Sequence, residues 1–406
     1  MQRTDLEGVV VVCGAGAAGI AAAVSAARQG AKVVLLEAGP RVGGTVASAL
    51  IHTLAGFFDS AGELLNDGLC RELVQRLTAG GALARRRKMG RLWVLHICPN
   101  AYQTCMAQWL GDNKRIDILC GARASGIVRS GGSIRELTAI RAGESFRLTP
   151  AAVIDATGTA EVARLIGRTC VLDDKRPAAG GWVFRLRGVA PGALAIPRGV
   201  ALVRRMREAA GAGELPAECG HVWLDLGCHE DEAFVKQLVP MGDEWQARES
   251  RGEISARARE TQDAIVKFLR RLPEFARAEV VQTGSLGIRD GGRIRGRYTL
   301  SGDDVRHGRK FSDAAGRCAW PIEYWDSERG ISLEYLPDGT HYEIPMSALQ
   351  LPGIENFWAV GKCLSADRYA HASARVVGAC WAMGEAAGQA AAACASANRV
   401  ACGGAR

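Results

Sequence analysis

Aromatic residues are scarce in this 406-residue chain, at 6%, and only eight of its 51 basic residues are lysine. Proline is held to 13 positions, and the glycines follow no repeat of three. Collagen-like and low-complexity chains are thereby excluded. A nucleic-acid surface wants basic clusters interleaved with aromatics. Here the arginines are scattered among 43 acidic residues, and the one dense run is Arg85-Arg86-Arg87-Lys88, followed by Arg91. A solvated, arginine-rich surface accounts for the formal charge of +8, and an anionic substrate or cofactor shares in the positive field. Closely spaced cysteine pairs are missing as well: none of the 13 cysteines sits at Cys-x-x-Cys or Cys-x4-Cys spacing. Zinc sites and redox dithiols need such spacing. No metal is therefore expected, and the cysteines read as buried free thiols in a reducing cytosol.

One segment could be mistaken for a membrane span: residues 9–27 are 19 residues without a charge, close to the length such a span needs. It holds three glycines and eight alanines, and the leader before it mixes Arg3 with Asp5 and Glu7. A signal peptide wants a positive leader and a cleavage site. The expectation is a cytoplasmic protein with no membrane span. What the chain does have is 50 glycines in an ordinary globular composition, 48% hydrophobic and 23% charged. Such an excess points to many places where backbone turns tightly or approaches a ligand.

The first of these is explicit. An apolar run, Val9 to Cys13, leads into Gly14-Ala15-Gly16-Ala17-Ala18-Gly19, then an alanine-rich helical stretch ending at Gly30. A second strand-like run follows and finishes on Glu37, 18 residues after the last glycine. The first glycine permits the turn and the second lets backbone approach a pyrophosphate. The third allows close helix–strand packing, and the helix amino terminus offers free N–H groups to the phosphates. Glu37 is placed to bond ribose hydroxyls. Framed by strand, helix, strand and acid, the G-x-G-x-x-G is a strong dinucleotide signal.

After Glu37 the chain reads Arg41-Val42-Gly43-Gly44-Thr45-Val46-Ala47-Ser48. This resembles the R-x-G-G-x-x-x-S/T element of the glutathione-reductase-type FAD superfamily, in which the segment lines the pyrophosphate and flavin side of the cofactor. Ala156-Thr157-Gly158, after another apolar run, resembles the same superfamily's A-T-G element. Three later segments are similar to the FAD-dependent oxidoreductase family that includes xanthan-lyase-like proteins. They are Gly296-Arg297-Tyr298-Thr299-Leu300-Ser301-Gly302-Asp303-Asp304, Val360-Gly361-Lys362-Cys363-Leu364-Ser365 and Gly384-Glu385-Ala386-Ala387-Gly388. His371-Ala372-Ser373-Ala374-Arg375 and Tyr342-Glu343-Ile344-Pro345 match as well. Two departures stand out. The family's R-E-S-R-R element is Arg289-Asp290-Gly291-Gly292-Arg293 here, and Lys362 occupies a turn that often carries arginine.

The resemblance implies an α/β fold: a Rossmann-like FAD-binding domain of glutathione-reductase type with a second α+β substrate domain inserted. The expected division is 1–168 plus 343–406 for FAD and 169–342 for the substrate domain. The latter would hold an amphipathic helix near residues 259–272 and apolar strands around 182–186 and 222–226. FAD contacts are expected from Gly14, Gly16, Ala17, Ala18, Gly19, Glu37, Ala38, Arg41, Gly43, Gly44, Thr45 and Ser48. The others are Arg123 and Ala124 near the adenine, Ala156, Thr157, Gly158, Gly361, Lys362, Ser373 and Val376.

For chemistry, His371 is a candidate proton acceptor, and Arg375 a candidate carboxylate binder or stabiliser of the reduced ring. Arg289 and Arg293 are candidates to clamp an anionic substrate. A second G-x-G-x-x-G and a paired dithiol are missing, which removes the disulfide reductases. The leading expectation is a dehydrogenase or oxidase removing a hydride from a small polar metabolite, anionic or not (an amine, a hydroxy acid or a C–C bond), with oxygen or another acceptor. A reductase of an activated double bond, fed by a separate donor, is the enzyme alternative. A flavin-binding protein acting on RNA rests on the basic charge alone.

Overall fold

The computed structural model describes residues 7–79, 84–172, 177–242 and 248–403. The leader residues Arg3 and Asp5 lie outside the described residues. The opening strand, Glu7–Cys13, is a run of valines because both its faces are covered. It pairs in parallel with Val33–Glu37 on one side (Val10 opposite Val33) and with Glu144–Asp155 on the other (Val12 opposite Ile154). Ile116–Cys120 extends the parallel part beyond Val33–Glu37, as its apolar sequence predicts. The 12-residue strand Glu144–Asp155 has two jobs. Its end pairs in parallel with Phe357–Ala359, and its start turns the sheet antiparallel through Ser133–Arg141 and Ala122–Ser130. This is the expected Rossmann-like sheet.

Between the first two strands runs the helix Ala17–Arg28, alanine-rich because another helix lies almost against its backbone. That partner is Val377–Gly403. A Cβ on Gly384 would lie 2.2 Å from Ala18 O, and one on Gly388 would lie 2.4 Å from Ala22 O. Small residues on both helices are thus a packing requirement. They also dispose of the membrane question for residues 9–27, which are a buried strand, a turn and a core helix. No helix among the described residues is long and apolar enough to cross a membrane.

A second sheet is antiparallel and holds Trp223–Leu226, Glu232–Val239, Gly180–Arg187 and Glu279–Thr283 in that order. Its alternation separates two faces. Trp182, Phe184, Leu186, Ala233 and Val235 form a core with Ile254, Ala258, Ile265 and Leu269 of the long helix Arg248–Leu269. That helix is the amphipathic one expected near residues 259–272, starting earlier than its apolar stripe suggests. The other face carries Val183, Phe234 and Lys236 toward the Rossmann-like sheet. A small third sheet, Thr53–Leu54, Leu92–Ile97 and Ala84–Met89, closes one side. The basic run lies in its last strand. Arg87 pairs with Asp225 at 2.6 Å, and Arg86 bonds Gly62 O while stacking over Trp93. Arg85, Arg86 and Lys88 are exposed and Arg87 is half-buried, so the run is a solvated strand tied down through two of its arginines.

Candidate active site

A cavity of about 440 Å³ runs from the glycine-rich turns to the inner face of the antiparallel sheet. Its first half is built almost wholly from backbone. Gly14 has φ +103°, and a Cβ there would lie 2.4 Å from Ala156 O. A Cβ on Gly44 would lie 2.5 Å from Gly16 Cα. Three turns, around residues 14–19, 43–48 and 156–158, therefore close on one another with no room for side chains. The helix Ala17–Arg28 starts at Gly16 without a side-chain cap, leaving its first N–H groups for a ligand. Glu37, at the end of the second strand, accepts from Ala15 N and Gly39 N at 2.7 Å and still lines the cavity. Bare helix N–H groups, glycine turns and a fixed carboxylate fit a dinucleotide of the FAD type.

Asp155 locks the third turn. Its carboxylate accepts from Thr157 Oγ1 (2.6 Å), Thr157 N (3.1 Å) and Ala163 N (3.0 Å). Burial raises its pKa, against the pull of the Thr157 and Ala163 bonds. Cys363 packs beneath the same turn, its sulfur accepting from Gly158 N at 3.1 Å and Ala160 N at 3.3 Å. Its thiol faces the protein, and burial pushes it up.

The second half of the cavity is charged. Arg289 stacks on Trp325, its guanidinium carbon 3.6 Å from the ring centre, and donates to Ala179 O at 2.7 Å. A Cβ on Gly181 would lie 3.0 Å from Arg289 Nη2, so the glycine makes room for the stack. Arg375, which caps the helix Arg368–Ala374, donates to the backbone oxygen of Glu323 at 3.2 Å. The Glu323 carboxylate is gripped by two indoles, Trp320 Nε1 and Trp325 Nε1, both at 2.7 Å. Lys236 reaches in from the antiparallel sheet and donates to Thr53 Oγ1 at 3.0 Å. Burial, and then Arg375, pull Arg289 down to about 9. Burial lowers Lys236, offset first by Asp225 and then by Glu323, and lowers Arg375, offset first by Glu323.

Most of the expected residues meet here. Gly14, Gly16, Ala17, Ala18, Glu37, Ala38, Gly44, Thr45 and Ser48 line the cavity. So do Arg123, Ala124, Ala156, Thr157, Gly158, Gly361, Lys362, Val376, Arg289 and Arg375. Six others stand behind the wall or beside it. Gly19 packs on Gly14 O, Gly43 donates to Ala15 O at 2.8 Å, and Arg41 is exposed. Ser373 is buried, bonding Tyr342 Oη and donating to Trp320 O, so it holds a wall tryptophan rather than a ligand. Arg293, 2% exposed, pairs with Asp290 at 3.2 Å and bonds Ala366 O. His371 is equally enclosed. Its Nε2 meets Lys362 O at 3.0 Å, and burial pulls it down to about 3. It serves as a neutral donor that fixes the Lys362 turn, a positioning role in place of the expected proton transfer.

Glu323, Trp320, Trp325, Lys236 and Thr53 are not legible as site residues in the sequence. They come from scattered strands without a local motif. A carboxylate between two tryptophans, at Trp320, Glu323 and Trp325, was the one faint signal.

No curated protein matches this sequence. Among solved structures, a geranylgeranyl bacteriochlorophyll reductase-like protein from Thermoplasma acidophilum is 15% identical, with a TM-score of 0.50. The alignment covers 97% of this chain and 79% of that one, a likeness of fold. A triple mutant of the flavin-dependent brominase Bmp2 is 11% identical over 95% of this chain and 80% of that chain, with a TM-score of 0.48. The model of the FAD dependent oxidoreductase family matches residues 10–401. The match takes in both ends of the cavity, and the chain belongs to the FAD-dependent oxidoreductase family.

Proposed function

We propose that the protein is a dehydrogenase or oxidase that removes a hydride from a small anionic metabolite. The observation that supports this most is the pair Arg289 and Arg375 on the wall beyond the dinucleotide turns. Two cations in a water-poor cavity, with one carboxylate already hydrogen-bonded to indoles, attract and orient an anion. FAD, when bound, supplies the two-electron acceptor.

The chain's own residues do the rest. The three turns hold the dinucleotide by backbone groups. Trp320, Trp325 and Val183 narrow the far end and exclude water. Arg289 and Arg375 bind the substrate acid so that its reacting C–H is turned toward the ring. Oxygen or another small acceptor completes the cycle. In finer kinship, the glycine turns favour the glutathione-reductase-type branch and the xanthan-lyase-like group.

The test is anaerobic titration of the flavin band with hydroxy acids, amino acids and their neutral amides. Bleaching by an acid but not by its amide supports the reading. Equal bleaching by both discards the anion. Absence of bleaching, with reoxidation of photoreduced protein by an unsaturated acid, turns the assignment to a reductase.

A further inference from the structure

The charged end of the cavity holds three cations from three different walls. Arg289 lies in the loop after Glu279–Thr283, and Arg375 ends the helix Arg368–Ala374. Lys236 stands on the antiparallel sheet beside its register partner Val183. Glu323 is the single carboxylate lining this end among the described residues. Behind the wall Asp290 pairs with Arg293, and Asp225 pairs with Arg87 while also acting on Lys236. Lys362, its Nζ on Ile288 O, adds a further cation to the lining, so this end keeps an excess of positive charge.

Resting on the anionic-substrate reading above, we infer that the substrate carries two acidic groups, one seated at Arg289 and Arg375 and the other at Lys236 and Thr53. The placement of Lys236 is the stronger half of the case. Its neighbours on that face are Val183 and Phe234, packed with Leu50, and Phe234 is itself stacked with the neutral ring of His52 at 3.9 Å. A buried ammonium among such neighbours is costly unless a counter-charge arrives. The bond to Thr53 Oγ1 orients Nζ without neutralising it. Burial depresses Lys236, with Arg87 and Arg289 adding to it against the pull of Asp225 and Glu323, and burial and Arg375 depress Arg289. A dianion bridging the walls would relieve both, whereas a monoacid would satisfy only one seat. Because Arg375 ends a helix beside the dinucleotide turns while Lys236 stands on the antiparallel sheet, the same ligand would also tie that sheet to the turns.

The experiment is calorimetric titration of the flavin-loaded protein with malonate, succinate and glutarate, each against the monoacid of the same length. One diacid is expected to bind at least about tenfold tighter than its monoacid, the order of a single charge-assisted contact. Lys236→Met should reduce that ratio to near one, and Lys236→Arg should restore most of it. The flavin band of each variant reports that the fold is retained. A ratio near one at every length, or a ratio untouched by Lys236→Met, overturns the inference while leaving the anionic reading in place. If neither acid class binds and a neutral compound bleaches the flavin, the anionic reading falls and takes this inference with it.

Discussion

The two halves of the cavity are made in opposite ways. The dinucleotide half is mostly backbone: turns at residues 14–19, 43–48 and 156–158, whose cavity-lining side chains are small, among them Ala17, Ala18, Thr45, Ser48, Ala156 and Thr157. The charged half is side chain: Arg289, Lys236, Glu323 and Arg375, projected from elements far apart in sequence. Backbone recognition needs contiguous glycines and a helix start, so it writes itself into a local motif. Side-chain recognition needs only that a few atoms converge, and any route through the fold can bring them there. On the function proposed above, the first half holds the cofactor and the second selects the substrate.

The sharpest way to break that division is to put a side chain into the backbone half. Gly14→Val would drive a methyl-bearing Cβ against Ala156 O at a positive φ. The protein is expected to purify without its flavin band, with FAD affinity reduced at least about a hundredfold, about 3 kcal/mol, the scale of overpacking. Removing charge from the other half should do the reverse. Arg375→Ala is expected to keep the flavin but lower kcat/KM about 10²- to 10³-fold, since an unpaired substrate charge then stays buried. Retention of full turnover would strike Arg375 from the site.

A pH titration sharpens the same contrast. Arg289 faces Arg375, Lys236 and Glu323, and its pKa of about 9 is below the ordinary arginine value. Its charge is present below that pH and lost above it. Affinity for an acidic ligand should therefore fall as pH rises through about 9, up to about tenfold per unit for one proton. FAD affinity should stay level over the same range. Calorimetry of both ligands at pH 7.5, 9 and 10 makes the comparison.

A further effect, on stability, falls on both halves alike. His52 and His371 are held near 3 and His96 near 4, in each case chiefly by burial. The unfolded chain takes up protons below about 6.5 that the folded chain refuses, so stability is full above that pH and declines as the medium is acidified. Each histidine contributes a slope of about 1.4 kcal/mol per pH unit down to its folded pKa. Denaturant unfolding at pH 7, 6 and 5 should show it, and His371→Gln should remove about one third of the slope.

The legible part of the molecule follows from the same physics. Val9 to Cys13, the glycine motif and Glu37 announced a strand, a turn and a binding acid because each choice there is dictated locally. The apolar stripe of Ile265, Phe268 and Leu269 announced a helix. His371 and Arg293 had the right residue types in the right segment, yet they support the wall from behind. Spacing cannot tell a group that faces a cavity from one that faces its neighbour. Cys98 and Cys228 make the point in reverse. Far apart in sequence and without any motif spacing, they hydrogen-bond to each other in the fold. The Gly291–Gly292 departure also acquires a reason. A Cβ on Gly291 would lie 2.5 Å from Thr159 Cγ2, so glycine lets the arginine loop settle on the third dinucleotide turn.

The seam between Ala17–Arg28 and Val377–Gly403 has a consequence for how the protein is made. The first turn leaves the ribosome early, but the helix that covers it and the strand Phe357–Ala359 that flanks the third turn are synthesised long after it. A nascent chain shorter than about 360 residues has its opening alanine helix bare on the side where Gly384 and Gly388 later pack. The wall behind the first turn is therefore completed only once the segment carrying Gly384 and Gly388 has been made.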